Sequence, residues 1–230
     1  DSNTIANNTI RDNTGHGIYL SYSDDNKIWY NLIKGETAGN TYWDGVHLYV
    51  GSGGNLIISN TIKNHDDGVY LGSVDSAAYN KVKNNIISYN TGMGINTSAH
   101  LNCEINNNTI TDNGDDGILI MGSNYFTLID NTITGNGGDG IFFDAAKHTQ
   151  LFNNTITGND DYQVRLSAAS SNNTLIGNIN DVYVSSNSDL TIKNYLTIQV
   201  KLSDDLVNGS DVQIKDNDDI LYAPSYYNGN

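Results

Sequence analysis

NTITDNGDDGILIMGSNYFTLID (108–130), NTITGNGGDGIFFDAAKHTQLFN (131–153) and NTITGND (154–160) follow one another without a break, one sentence written twice and begun again. Their opening asparagines, Asn108, Asn131 and Asn154, stand 23 residues apart. A repeat this short cannot bury its own apolar side chains, so it must stack on its copies. Working outward with the same phase marker finds Asn85, Asn60, Asn31 and Asn8 upstream and Asn178 downstream.

Each repeat carries three short alternating pieces. One precedes the marker (Lys27-Ile28-Trp29, Lys81-Val82-Lys83, Thr127-Leu128-Ile129). One straddles it (Thr9-Ile10-Arg11, Thr109-Ile110-Thr111, Thr132-Ile133-Thr134). The third follows a glycine (Gly17-Ile18-Tyr19-Leu20, Gly45-Val46-His47-Leu48, Gly68-Val69-Tyr70-Leu71, Gly117-Ile118-Leu119-Ile120, Gly140-Ile141-Phe142-Phe143). Period-two alternation rich in β-branched residues predicts strands, and three per repeat predicts three parallel sheets. Parallel crossovers are right-handed in nearly all cases, so the expected fold is all-β, a right-handed parallel β-helix of seven to eight coils over residues 1–188. The inward residues are the pairs Ile18/Leu20, Val46/Leu48, Val69/Leu71, Ile95/Thr97, Ile118/Ile120, Ile141/Phe143 and Val164/Leu166. An end coil lacks one neighbour, so a cap or further repeats are expected before Asp1.

Asparagine suits the corners because its short amide tolerates left-handed backbone and bonds to backbone groups. A second asparagine column follows five residues after the marker, at Asn13, Asn90, Asn113, Asn136 and Asn159. Cys103 falls in a third column with Asn26, Asn80 and Asn173, where it reads as a small buried substitute. Two insertions break the regularity, Lys34–Trp43 and Gly72–Tyr79, and insertions in repeat proteins gather on the binding face. Residues 189–230 are expected to hold a shortened terminal coil (Asp189–Val200) and a β cap or the start of an immunoglobulin-like module. Its strands are expected at Asp211–Lys215 and Ile220–Ala223.

The net charge of −15 argues against nucleic acid and anionic membrane as partners. No apolar run approaches the ~20 residues of a membrane span, and one cysteine excludes an internal disulfide framework. An extracellular surface fits this composition.

The phrase Asn7-Asn8-Thr9-Ile10-x-x-Asn13-x-x-x-Gly17-Ile18-x-Leu20-x-x-Ser23-x-x-Asn26-x-Ile28 resembles the NosD-like branch of the parallel β-helix repeat superfamily, over residues 3–180. That branch includes archaeal and bacterial surface proteins, accessory proteins of copper-enzyme maturation, and polysaccharide lyases, hydrolases and epimerases. The resemblance implies carbohydrate contact or a surface scaffold. The mannuronan epimerases carry Tyr-Gly-Phe-Asp-Pro-His in their catalytic coil. Aligned on the inward apolar residue, this chain has Asp44 in place of the Tyr, His47 in place of the Asp and Tyr49 in place of the His. Gly72 stands where the next coil would supply a second acid, so that catalytic set is not carried over.

The outward column of the third sheet begins Tyr19, His47, Tyr70, beside Ser21, Tyr49 and Gly72. Tyr42 and Trp43 join from the first insertion. Aromatic rings beside Asp44 and Asp67 suit sugars, which offer CH faces to rings and hydroxyls to acids. The bland alternatives are strand propensity alone, contact with a neighbouring module of a longer chain, or self-assembly into a sheath. For catalysis, His47 is the best acid/base candidate. Asp44 and Asp67 are its acid partners, stacked ~4.8 Å apart, with Tyr19 or Tyr70 assisting. Asp116 and Asp139 occupy the same turn, however, so a ladder of turn aspartates is the competing account. Structural calcium is considered at Asp66/Asp67, Asp115/Asp116 and 216–219, although none matches a fixed ligand spacing. His16, His47, His65, His100 and His148 look scattered, which disfavours copper. Of the Asn-x-Ser/Thr sites, Asn7, Asn107, Asn153 and Asn172 are expected inside buried ladders, leaving Asn96 and Asn208 as glycan acceptors.

The expectation is therefore an extracellular, cell-surface structural or adhesive β-helix with a glycan-facing aromatic patch. The alternative is a polysaccharide lyase, hydrolase or epimerase.

Overall fold

The computed structural model describes residues 1–36, 42–72, 79–177 and 179–193, with strand segments at 201–202, 205–206, 215–216 and 219–220. Asp1–Asn194 and Tyr195–Asn230 form two separate units.

The first unit is three parallel sheets wound by one chain. The first sheet runs from Thr4–Ala6 through Lys27–Trp29, Leu56–Ile58 and onward to Leu190–Lys193, nine strands in all. The second begins at Thr9–Arg11 and has seven strands; the third begins at Ile18–Leu20 and has eight. Every strand pairs with its equivalent one coil away. Thr109 lies against Thr132 and then Thr155, and Ile118 against Ile141 and then Val164. The 29-residue second coil keeps this register, with Lys27 facing Leu56 and Tyr19 facing His47. The insertions therefore leave the strands in place. Residues 37–41 and 73–78 of those insertions lie outside the described residues.

The core is one file of aliphatics from each of the first two sheets and two files from the third. Ile28, Ile57, Val82, Ile105, Leu128, Leu151 and Leu175 line the first; Ile33, Ile62, Ile87, Ile110, Ile133 and Ile156 the second. All the expected inward pairs of the third sheet are buried or packed on the core, Leu20 in the end coil least completely. Each buried aliphatic contributes about 1.5–3 kcal/mol, repeated coil after coil. Glycine precedes the third-sheet strand in the first six coils, where a Cβ would collide with the next coil, and Gln163 takes that place in the seventh. A Cβ on Gly117 would stand 2.4 Å from Ile133 Cγ2 and 2.6 Å from the Gly140 carbonyl.

The asparagine columns are hydrogen-bonded ladders. Asn108 Oδ1 accepts both the amide N–H and the Nδ2–H of Asn85 at 3.0 Å, while Asn108 Nδ2 donates to Asn131 Oδ1 at 3.0 Å and to the Val82 carbonyl at 2.8 Å. The second ladder runs Asn90, Asn113, Asn136, Asn159 and ends on Gln163 Oε1. His65 stands in line with it, donating its amide N–H to Asn90 Oδ1 at 3.0 Å. Cys103 is buried in the third column, and burial pushes its thiol pKa upward.

The burial expected of Asn7, Asn107, Asn153 and Asn172 is not found. The ladder uses Asn8, Asn108, Asn154 and Asn173. Asn7, Asn107, Asn153 and Asn172 are the residues just before them, exposed at positive-φ corners. Asn96 is instead tied down by a bond to Asp67, and Asn208 lies outside the described residues.

In the second unit Lys201–Leu202 pairs antiparallel with Asp205–Leu206, and Lys215–Asp216 with Asp219–Ile220. The strands expected at Asp211–Lys215 and Ile220–Ala223 overlap the second pair only at their inner ends; 211–214 and 221–223 lie outside the described residues.

Candidate functional site

The turn that leads into each third-sheet strand places one residue before a glycine, or before Gln163 in the seventh coil. In successive coils this residue is His16, Asp44, Asp67, Met93, Asp116, Asp139 and Tyr162. Where its side chain can accept a hydrogen bond, it takes the amide N–H of its counterpart one coil on. Asp44 Oδ1 accepts from Asp67 at 3.3 Å, Asp67 Oδ1 from Met93 at 2.8 Å, Asp116 Oδ1 from Asp139 at 2.7 Å and Asp139 Oδ1 from Tyr162 at 2.9 Å. His16 does the same with a ring nitrogen, its Nδ1 accepting the Asp44 amide at 2.9 Å.

The calcium pairs therefore each spend oxygen on the backbone. Asp67 has both oxygens engaged, Oδ2 accepting from Asn96 Nδ2 at 2.7 Å, and Asp116 gives Oδ1 to Asp139. Asp66 and Asp115 turn their Oδ1 atoms to the same glycines as their neighbours, near Gly92 and Gly138. Burial is the main cause of the raised pKa of Asp66, Asp67 (to about 6) and Asp116 (to about 7).

The outward face of coils one to three gathers around Asp44. His47 sits between Tyr19 and Tyr70 in sheet register. Its Nδ1 lies 2.5 Å from Asp44 Oδ2, and Asp44 is buried. His16 Nδ1 lies 3.5 Å from the same oxygen, and the two imidazole centroids are 4.2 Å apart. Burial is the main cause holding His16 below its ordinary pKa, with the neighbouring His47 adding to it against the pull of Asp44. Aromatic rings pack against both imidazoles. Trp43 meets His16 edge-on at 4.9 Å, Tyr19 stacks on His16 at 5.5 Å, and Tyr70 stacks on His47 at 4.6 Å. Tyr49 lies 5.8 Å from His47 and 6.3 Å from Tyr19. Tyr70 can lean this way because Gly72 has no Cβ, which would stand 2.5 Å from Tyr70 Cε1.

Of the residues expected from sequence, Asp44, His47, Tyr19, Trp43, Tyr49 and Tyr70 come together. Tyr42 is exposed and makes no ring contact among the described residues, and Asp67 touches Asp44 only through its amide. His16 was missed. The histidines are not all scattered, because stacking the coils puts His16 beside His47. Its signal was present in the phase, since His16-Gly17 aligns with Asp44-Gly45 and Asp67-Gly68. His65, buried beneath the same corner, keeps a pKa of about 4 because burial opposes its charge.

His16, Asp44 and His47 have ligand-type atoms all within 4.8 Å of one another. A metal ion would have to displace the Asp44 amide from His16 Nδ1, or a proton from His16 Nε2, so this donor set is not free as it stands.

A family model described as "Right handed beta helix region" matches residues 1–75, 37–180 and 73–218. The chain therefore belongs to the right-handed β-helix family. No curated protein matches it in sequence. Among solved structures it is similar to the periplasmic alginate epimerase AlgG, at 16% identity and TM-score 0.64, covering 79% of this chain and 48% of that one. It is also similar to the A-module of the Azotobacter vinelandii mannuronan C-5 epimerase AlgE6, at 16% identity and TM-score 0.61, covering 86% of this chain and 59% of that one. The chain thus spans about half the length of these neighbours, and at such identity the likeness is one of fold.

Proposed function

We propose that this member of the right-handed β-helix family is an extracellular, cell-surface module that holds a neutral polysaccharide against the third-sheet face of coils one to three. The observation that carries the reading is the unbroken chain of ring contacts from Trp43 through His16 and His47 to Tyr70, with Tyr19 and Tyr49 alongside. Trp43, Tyr19 and Tyr49 keep 40–51% of their surface exposed, so the rings are available to a sugar face.

Charge supports a neutral glycan over a uronate. The chain carries −15 overall, and segments 16–25, 42–50 and 66–72, which build this face, contain no lysine or arginine. A polyuronate would approach against the field and find no cation to pair with. A screen of immobilised neutral and acidic glycans tests the reading. Retention on neutral glycans, lost in Trp43→Ala, supports it; retention on acidic glycans alone contradicts it.

A second reading, a polysaccharide-active enzyme, is favoured by one observation, the buried Asp44 carboxylate bonded to His47 among those rings. A broad polysaccharide screen for turnover, repeated with His47→Ala, separates it from binding alone.

A further inference from the structure

We infer that Asp44 and His47 form a general-base pair with His16 as the adjoining hydrogen-bond donor, and that together they hydrolyse acyl esters carried on a neutral glycan. The inference rests on the glycan-facing reading of this surface and adds a chemistry to it.

Donor and acceptor accounting sets the two imidazoles apart. The Asp44 amide can only donate, so His16 Nδ1 is the bare nitrogen and the proton of the neutral ring sits on Nε2. Asp44 Oδ2 can only accept while the carboxylate is ionised, so His47 Nδ1 carries the proton and its Nε2 is bare. Both rings turn their Nδ1 edge toward Asp44, which leaves both Nε2 atoms facing away from it. Neither Nε2 has a hydrogen-bond partner among the described residues. An N–H donor and a basic nitrogen are therefore carried on neighbouring rings whose centroids lie 4.2 Å apart.

The alternatives within carbohydrate chemistry are less well served. Glycosidic hydrolysis by paired carboxylates needs two free acids roughly 5–9.5 Å apart. Here Asp44 gives one oxygen to His47 and the other to the Asp67 amide, and Asp67 gives both of its own to Met93 and Asn96. Proton abstraction beside a uronate carboxylate calls for a cation, and this face has no lysine or arginine. Acyl transfer to water asks only for a base and an oxyanion donor.

In the step itself, His47 Nε2 takes a proton from water as the water oxygen bonds to the acyl carbon. The carbonyl π pair moves to oxygen, which accepts the N–H of His16 Nε2. Collapse restores the carbonyl and breaks the bond to the sugar oxygen, which takes the proton back from His47 Nε2. Ester and water become carboxylic acid and a free sugar hydroxyl, and Asp44 exchanges no proton in the step. The groups facing His47 are Asp44, His16, Tyr19, Tyr49 and Tyr70.

Acetylated xylan is the probe, with released acetate followed by NMR and binding of the same polymer followed by calorimetry. Wild-type protein is expected to release acetate well above the buffer rate. His47→Ala should lose about 100-fold or more. Asp44→Asn keeps Oδ1 for the Asp67 amide but offers His47 an N–H, reversing its tautomer; it should lose a comparable factor at unchanged melting temperature. His16→Asp keeps the ladder acceptor and removes the oxyanion donor, lowering kcat more than it raises KM. No release above the buffer rate, or release undiminished in His47→Ala, overturns the inference. If xylan still binds while nothing is released, only the ester chemistry fails; if neither occurs, the glycan-facing reading fails with it.

Discussion

The backbone N–H of Asp44 donates to Nδ1 of His16 at 2.9 Å, the same bond that the Asp139 amide makes to Asp116 Oδ1 at 2.7 Å. An imidazole here stands in for a turn carboxylate, and that substitution places a second ring beside His47. His16→Asp keeps that bond and should therefore cost less stability than an apolar residue in its place. His16→Leu strands a buried amide and should cost about 1–3 kcal/mol. Urea unfolding of the two variants checks the contrast, and ¹⁵N NMR should find the His16 proton on Nε2 and the His47 proton on Nδ1.

The marker ladder makes a sharper prediction about neighbours in sequence. Asn108 is buried and bonds to Asn85, Asn131 and Val82; Asn107 is an exposed corner at φ 54°. Asn108→Ala should destabilise the first unit by about 1–3 kcal/mol. Asn107→Gly, at a position whose backbone glycine adopts freely, should change it by only a few tenths. Chemical denaturation distinguishes them.

Stability should bend with pH for a stated reason. Burial raises Asp67 to about 6 and Asp116 to about 7, so the folded state binds protons that the unfolded state has already lost. Their contribution is fully present below the ordinary carboxylate pKa and is lost as pH rises toward 7. His65 and His100, held near 4 by burial, act oppositely: their contribution is present above about 6.5 and lost as pH falls through 4. Asp116→Asn keeps an acceptor for the Asp139 amide and removes one acidic member. Between pH 4 and 8 its melting temperature should gain on wild type as pH rises; a constant offset would refute the assignment.

Gly72 controls the tilt of Tyr70 without carrying the fold. The atom a new Cβ would meet is the far end of a movable ring, 2.5 Å away. Gly72→Ala should swing Tyr70 off His47 and weaken glycan binding several-fold. Stability should fall less than binding, because the clashing atom belongs to a ring that can move aside rather than to backbone. Equal losses of binding and stability would show that the ring is structural.

The architecture was legible in the sequence because each coil repeats one packing problem. Ile110, Ile133 and Ile156 meet the same neighbours at 23-residue steps, so periodicity and burial coincide. Cys103 was readable for the same reason, because its place before Glu104 is that of Asn80 before Lys81 one coil earlier, although Phe126 fills the same place one coil on. The site was half legible. Asp44 and His47 lie three residues apart and announce themselves, whereas His16 is 28 residues from Asp44 and joins it only through stacking. The glycosylation sites were misjudged by one residue. Asn107 and Asn108 differ by one position, but the first occupies a left-handed corner that points to solvent and the second turns into the ladder.

The surface claim stands or falls on one titration: neutral xylo-oligosaccharides into the wild-type chain and into Trp43→Ala, by calorimetry at low and high salt. The account predicts saturable binding that is insensitive to salt and at least about tenfold weaker without Trp43, a loss of about 1.4 kcal/mol or more. Binding that is absent, or equally tight in Trp43→Ala, would contradict it.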